Sequence, residues 1–267
     1  MPKLPAPPLP APLKAPPPRP GESNGDGGPL EGAAHAGISV VDWVDERTSL
    51  SGAARWLMFR KVPKGTNWFY TLGSATMFAF LSQAVTGVFL AMYYRPDPAG
   101  GAYESIRYVT NDVFLGQFVR GMHKWGSSVM VILVFLHMGR TFFFGAYKYP
   151  RELNWVIGVV LLILTMVMSF TGYLLPFDQR AYWATIVGVN INGTGPLIGP
   201  YLSDFLRGGS EFGATTLSRF YAIHMLLIPG LLVALIGAHL FLVTKLGTTA
   251  PPWSKAESSP ELREAEL

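Results

Sequence analysis

The chain has 267 residues, 49% of them hydrophobic and only 14% charged, with no cysteine and a formal net charge of +4. Average soluble chains carry about 25% charged residues, so the composition argues against an ordinary soluble domain. The missing cysteines exclude disulfides, thiolate metal sites, cysteine-bound iron–sulfur clusters and thioether-linked haem. The basic residues sit between apolar blocks, not on one soluble face, which argues against a nucleic-acid partner.

Residues 1–38 are rich in proline, alanine and glycine and hold no aromatic residue. Such a segment buries too little apolar area to offset chain entropy and reads as a disordered arm, in which His35 has no assigned role. Proline interrupts it throughout and no apolar run follows Met1, so it does not read as a signal peptide. Residues 40–60, VVDWVDERTSLSGAARWLMFR, mix apolar and charged positions and read as an amphipathic surface helix. Four long apolar blocks follow, at about 68–94, 121–147, 153–177 and 220–244. A hydrocarbon core of roughly 30 Å needs about 20 helical residues, and each block supplies them. None alternates with period two, as a barrel strand would, and lipid tolerates no unpaired backbone. The fold class is therefore an all-α integral membrane protein: a four-transmembrane-helix bundle spanning 39–250, with the surface helix in front and a polar tail at 251–267. Lipid is its first partner.

Arg55, Arg60, Lys61 and Lys64 before the first block, Lys148 and Arg151 in the short second loop, and Lys245 all fall on one side. In the loops at about 95–120 and 178–219, basic residues are nearly matched by acidic ones. The positive-inside rule then puts both termini in the cytoplasm.

The remaining histidines lie within apolar blocks: His123 and His137 in the second, His224 and His239 in the fourth. Polar side chains at membrane depth are costly and usually functional. Fourteen residues separate His123 from His137, about 40° short of four turns and about 21 Å along the axis. Fifteen separate His224 from His239, about 60° past four turns, an offset that a kink at Pro229 would partly absorb. Both helices start on the outer side, so His123 matches His224 in depth and His137 matches His239. Two imidazoles without carboxylate or thiolate make a poor structural zinc site, which wants four ligands, but they suit the two axial positions of a haem. Gly73 and Gly87 in the first block, and Gly158 and Gly172 in the third, repeat the 14-residue interval. Small residues also serve plain helix packing, but this register fits flat macrocycles at two depths. Arg120 and Lys124 flank His123, and Arg140 follows His137; they are candidate cations for haem propionates, although Lys124 also reads as snorkelling to the headgroups.

At this point the sequence resembles the cytochrome b6 branch of the cytochrome b proteins over about residues 41–250. The resemblance is carried by VDWVDER (41–47), NWFYTLG (67–73), TGVFLAMYYRP (86–96), VRGMHKW (119–125), HMGR (137–140), PRELNWVIGVV (150–160), TGYLLPFDQRAYWA (171–184), TTLSRFYAIH (215–224) and HLFLVTKLG (239–247). It implies two non-covalent b haems, an outer one held by His123 and His224 and a cytoplasmic-side one held by His137 and His239. It implies haem contacts at Gly73, Gly87, Gly158 and Gly172 and propionate contacts at Arg120 and Arg140. Tyr173, Pro176, Phe177, Asp178, Tyr182 and Trp183 would form this chain's share of a quinol-oxidation site. Asp178 reads equally as a helix-end surface acid or as a proton carrier.

The implied activity is that of a quinol–cytochrome c or quinol–plastocyanin oxidoreductase subunit, passing electrons across the membrane from quinol oxidation outside to quinone reduction inside, in a proton-translocating Q cycle. Quinone and quinol are the substrates. The implied partners are a three-helix subunit carrying the PEWY motif that this chain lacks, a Rieske iron–sulfur protein and a c-type cytochrome, in a dimer of complexes. The Pro-rich arm has no counterpart in the family and points to a bacterial source, so the expected location is a bacterial inner membrane or a photosynthetic one. Three departures stand out. The chain has four apolar blocks and no PEWY. Thr71 stands where the branch has the cysteine that tethers an extra haem, and Thr244 where it has an arginine near that haem, which implies no covalent haem c. Phe177 replaces the tryptophan of PWDQ. Two rivals, a di-haem anchor of a dehydrogenase or hydrogenase and a haem-free four-helix transporter, lack support: the first does not share the four-glycine pattern or the PFDQ–AYW loop, and the second would need intramembrane carboxylates that the charge-free blocks do not contain.

Overall fold

The computed structural model describes residues 40, 42–48, 52 and 63–255. The chain divides into an N-terminal unit, Met1–Lys61, and a main unit, Val62–Leu267. Within the first, residues 42–48 form helix α1, where the Arg47 guanidinium lies 4.2 Å from the Trp43 ring centroid and donates to the Trp43 carbonyl at 2.7 Å. The rest of the expected surface helix, the arm 1–38 and residues 256–267 lie outside the described residues.

In the main unit a 3-10 turn, Trp68–Thr71, is capped by Asn67, whose side chain accepts from the Phe69 N–H, and runs into α2, Leu72–Ala91. Then come α3 (Gly101–Asn111), α4 (Gly116–Phe143), α5 (Glu152–Leu174), α6 (Gln179–Gly193), α7 (Gly199–Arg207) and α8 (Ala214–Ala222). Helix α8 continues through a π-turn, Ile223–Leu227, into α9, Ile228–Leu246. Four stretches are long and apolar enough to cross a membrane: Trp68–Ala91, Gly116–Phe143, Glu152–Leu174 and Ala214–Leu246. Among the described residues the structure is all-helical. Together these establish the expected membrane bundle.

Three boundaries differ from the sequence reading. The second span starts at Gly116, because Arg120 and Lys124 lie at the helix end and leave its hydrogen bonding intact. It stops at Phe143, where Gly145 turns the chain at φ 63°. The fourth begins with the polar turn Ala214–Arg219, which apolarity alone does not mark. The two stretches read as loops contain α3, α6 and α7, whose inner faces use small residues: Ala102, Ser105 and Val109 on α3, and Ala181, Thr185 and Val189 on α6 are buried.

Helix α2 packs along α4, and α9 along α5. Intrahelical bonds from hydroxyls cost little in lipid and use no partner helix. Thr76, Thr86, Thr165 and Thr171 each donate to the carbonyl four residues back, at 2.7–2.9 Å. The core between the helices holds Phe80, Met130, Leu174, Leu217, Phe220 and Leu232, whereas Val85, Val88, Phe143 and Leu226 face outward.

The expected polar tail starts late. Pro251 is buried and Pro252–Lys255 form a 3-10 turn, with Trp253 Nε1 donating to the Gly65 carbonyl at 3.0 Å. The Trp253 ring also meets Phe144 edge-on, with centroids 5.3 Å apart. The segment after α9 thus folds back as a strap because it carries an aromatic with a donor to satisfy.

Candidate functional site: two histidine pairs

The four intramembrane histidines meet as the spacing predicted. The rings of His123 and His224 have centroids 6.4 Å apart at an interplanar angle of 78°. Those of His137 and His239 are 6.5 Å apart at 81°. The two levels therefore have nearly the same geometry. Among the described residues no three His, Cys, Asp or Glu cluster as metal ligands. A metal held here must bring its remaining donors with it.

That requirement fits a haem. A metal–imidazole bond of about 2.0–2.1 Å, plus roughly 1.1 Å from nitrogen to ring centroid, puts two trans imidazoles about 6.3 Å apart. The observed gaps match at both levels.

Each glycine of the repeating pattern faces one histidine. A Cβ built on Gly73 would lie 3.2 Å from His137 Cε1, on Gly87 3.2 Å from His123 Cε1, and on Gly158 3.6 Å from His239 Cε1. On Gly172 it would lie 2.5 Å from His224 Cε1. The glycines thus admit the imidazoles of the facing helix, a role the sequence reading assigned to macrocycle contact alone.

Two threonines that sequence reasoning missed orient the outer pair. Thr86 Oγ1 donates to the Ser82 carbonyl at 2.7 Å and so accepts from His123 Nδ1 at 2.9 Å. His224 Nδ1 donates to the Met168 carbonyl at 3.0 Å, with Thr171 Oγ1 3.3 Å away. A proton fixed on Nδ1 leaves Nε2 with its lone pair free for a metal. The signal was present in the sequence as a repeated Thr-Gly dipeptide, 86–87 and 171–172, each at a glycine of the pattern. At the inner level Nδ1 of His239 is buried and makes no hydrogen bond of good geometry.

The inner pair opens onto a cavity of about 360 Å³ lined by His137, His239, Gly73, Gly158, Arg140 and Thr249. Arg140 lies under the Tyr70 ring, 3.8 Å from its centroid, and its Nε and Nη2 are buried without partners. Unpaired buried guanidinium nitrogens are costly, and a carboxylate in the cavity would satisfy them. Arg120 is half-buried, one turn before His123. Lys124 is exposed, its Nζ 5.9 Å from the Trp125 ring centroid, as snorkelling requires.

The residues expected at the quinol site lie at the C-terminal end of α5, in the turn after it and in α6. Phe177 (φ 50°) packs edge-on against Tyr182 at 5.7 Å, and Tyr182 against Trp183 at 5.2 Å and Phe212 at 6.2 Å. Tyr173 and Trp183 are exposed, Pro176 half-buried. Asp178 caps α6, its Oδ1 accepting from the Ala181 N–H at 2.8 Å, which matches the helix-end reading of this acid. Thr71 spends its hydroxyl on the Trp68 carbonyl at 2.6 Å.

Comparison with known proteins agrees with this geometry. The cytochrome b/b6/petB family matches residues 57–247. The menaquinol:cytochrome c reductase cytochrome b subunit of Geobacillus thermodenitrificans is 44% identical over 220 residues, covering 79% of this chain and 98% of that one. Cytochrome b6 of Heliobacterium modesticaldum is 42% identical over 213 residues, covering 79% of this chain and 100% of that one. A chain of a hyperthermophilic respiratory Complex III superposes with a TM-score of 0.73 at 31% identity, covering 83% of this chain. The present chain spans 59% of the length of that one.

Proposed function

The chain belongs to the cytochrome b/b6 family, and from that premise we propose that it is the haem-bearing subunit of a quinol–cytochrome c reductase type of membrane complex, with two non-covalent b haems. His123 with His224, and His137 with His239, would hold the two haem irons. The observation that carries this reading is the pair of ring gaps, 6.4 and 6.5 Å, at two depths.

When bound, haem supplies reversible one-electron transfer at its iron. This chain's residues do the rest. The histidines fix two levels about 21 Å apart in a core of roughly 30 Å. Thr86 and the Met168 carbonyl hold the Nδ1 protons of the outer ligands, presenting Nε2 as donor. Gly73, Gly87, Gly158 and Gly172 keep the facing backbones close enough for the rings to stay in place. Arg140 presents two unpaired nitrogens to a carboxylate at the inner cavity. Arg120 takes the corresponding part at the outer level. Phe177, Tyr182 and Trp183 form an aromatic wall for a quinol head at the outer end, Tyr173 and Pro176 flanking it, with Asp178 holding the start of α6.

In this reading a three-helix subunit carrying the PEWY motif would complete that site, and a Rieske protein and a c-type cytochrome would complete the electron path. The positive-inside pattern supports cytoplasmic termini, and a bacterial inner membrane is the proposed location. A chain with no cysteine supports the absence of a thioether-bound third haem.

The test is a dithionite-reduced minus oxidised spectrum of the purified complex, with pyridine haemochrome after acid–acetone extraction of this subunit. Two extractable b haems per chain are expected, with none left on the polypeptide. An intact complex without haem on this chain would overturn the reading.

A further inference from the structure

The fourth span carries one residue too many between its histidines. Were Ala214–Leu246 α-helical throughout, the 15-residue interval would rotate His239 about 100° further than the 14-residue interval rotates His137. The rings would then not meet alike at both levels, yet the two gaps agree within 0.1 Å and the two angles are 78° and 81°. The opposing glycines on α5, Gly158 and Gly172, are also 14 apart, and each still faces its histidine.

The surplus is taken up in the π-turn Ile223–Leu227, where the Ile228 N–H reaches back five residues to the Ile223 carbonyl. A π-bulge inserts one residue without advancing the rest of the helix. Its cause is written in the sequence. Pro229 has no N–H to give to the Met225 carbonyl four residues back, and its ring crowds that carbonyl, so the turn before it widens. The sequence reading assigned this offset to a kink at Pro229; the structure resolves it as a change of hydrogen-bond register.

We infer that the π-turn is a positioning element for the ligands: it cancels the extra residue of the fourth span, so that His224 and His239 stand in the same relation as His123 and His137. This rests on the haem reading above. Leu226 lies within the turn and is 76% exposed. Deleting it together with Pro229→Ala converts the interval to 14 and the bulge to plain α-helix, leaving the ligand faces where they are. Deleting Ile132, 59% exposed between His123 and His137, removes a residue from a span that has no bulge to absorb it.

The experiment expresses ΔLeu226, ΔIle132 and the double variant ΔLeu226/P229A in the full complex. Haem per chain, the two waves of a potentiometric titration, and the ferric EPR signal, which responds to the angle between axial imidazole planes, are read together. ΔLeu226/P229A should keep two haems, both waves and a near-native EPR signal, and ΔIle132 should lose haem roughly tenfold. If ΔLeu226 accumulates poorly, the double variant, freed of the proline ring, is the deciding chain. Loss of either wave in it, failure of both deletions to accumulate, or equal tolerance of ΔIle132 would overturn the inference. A native complex with no haem on this chain would overturn instead the reading beneath it, so the two failures are distinguishable.

Discussion

Replacing Gly172 with alanine tests the idea that each glycine admits an imidazole. The added Cβ would lie 2.5 Å from His224 Cε1, 3.0 Å from Nδ1 and 3.1 Å from Nε2. Ordinary contact begins near 3.4 Å, so the ring must withdraw by close to 1 Å. That movement strains the 3.0 Å bond from Nδ1 to the Met168 carbonyl. Leaving a buried donor unpaired costs about 1–3 kcal/mol, which lowers outer-haem affinity roughly 5- to 150-fold. Gly158→Ala puts a Cβ 3.6 Å from His239 Cε1, an ordinary contact, and costs less than about one tenfold step. Potentiometric titration of the b-haem absorbance in purified complex reads both variants. Gly172→Ala should lose the outer wave and keep the inner one, while Gly158→Ala keeps both. Equal loss in the two variants would refute the reasoning, because a requirement for small residues unrelated to the rings would weigh on both positions alike.

Thr86→Val removes the acceptor for His123 Nδ1 and should weaken outer-haem retention about 10-fold, with Thr86→Ser restoring it; haem content after detergent washing decides between them. Arg140→Leu removes a cation beside the inner pair, which stabilises the oxidised state relative to the reduced one. The inner midpoint potential should fall, by an amount on the order of tens of millivolts, in a titration where the outer wave stays put. Trp253→Ala deletes the bond to the Gly65 carbonyl, and thermal bleaching of the inner haem should begin earlier while the outer one is unchanged, for a loss of about 1 kcal/mol. Because the chain has no cysteine, single-cysteine variants K148C and E104C report topology without background: an impermeant maleimide applied from outside should label Glu104→Cys and spare Lys148→Cys.

Much of this architecture is legible in the sequence because lipid imposes simple rules. Apolar length located all four spans, and the repeated intervals put the histidines and the glycines at two common depths. What stayed hidden followed from effects that periodicity does not carry. Helices α3, α6 and α7 bury alanine, serine, threonine and valine, whose small side chains leave a weak apolar signal. The start of the fourth span at Ala214 is polar and shows no change of hydropathy. The π-turn is a hydrogen-bond choice forced by Pro229, which reads from sequence as a kink. The strap at 251–255 depends on one indole finding a carbonyl 188 residues away, a pairing that no local pattern announces.

The strap has a consequence for the order in which the chain matures. The residues that shape the outer level, Thr86, Gly87, His123, Thr171, Gly172 and His224 among them, have been synthesised by position 224. The inner level waits for His239, and its cavity wall for Thr249, with Trp253 closing the turn against Gly65. During synthesis the two levels therefore become competent in a fixed sequence, outer before inner. A chain stalled between residues 224 and 239 would hold one complete histidine pair and one half.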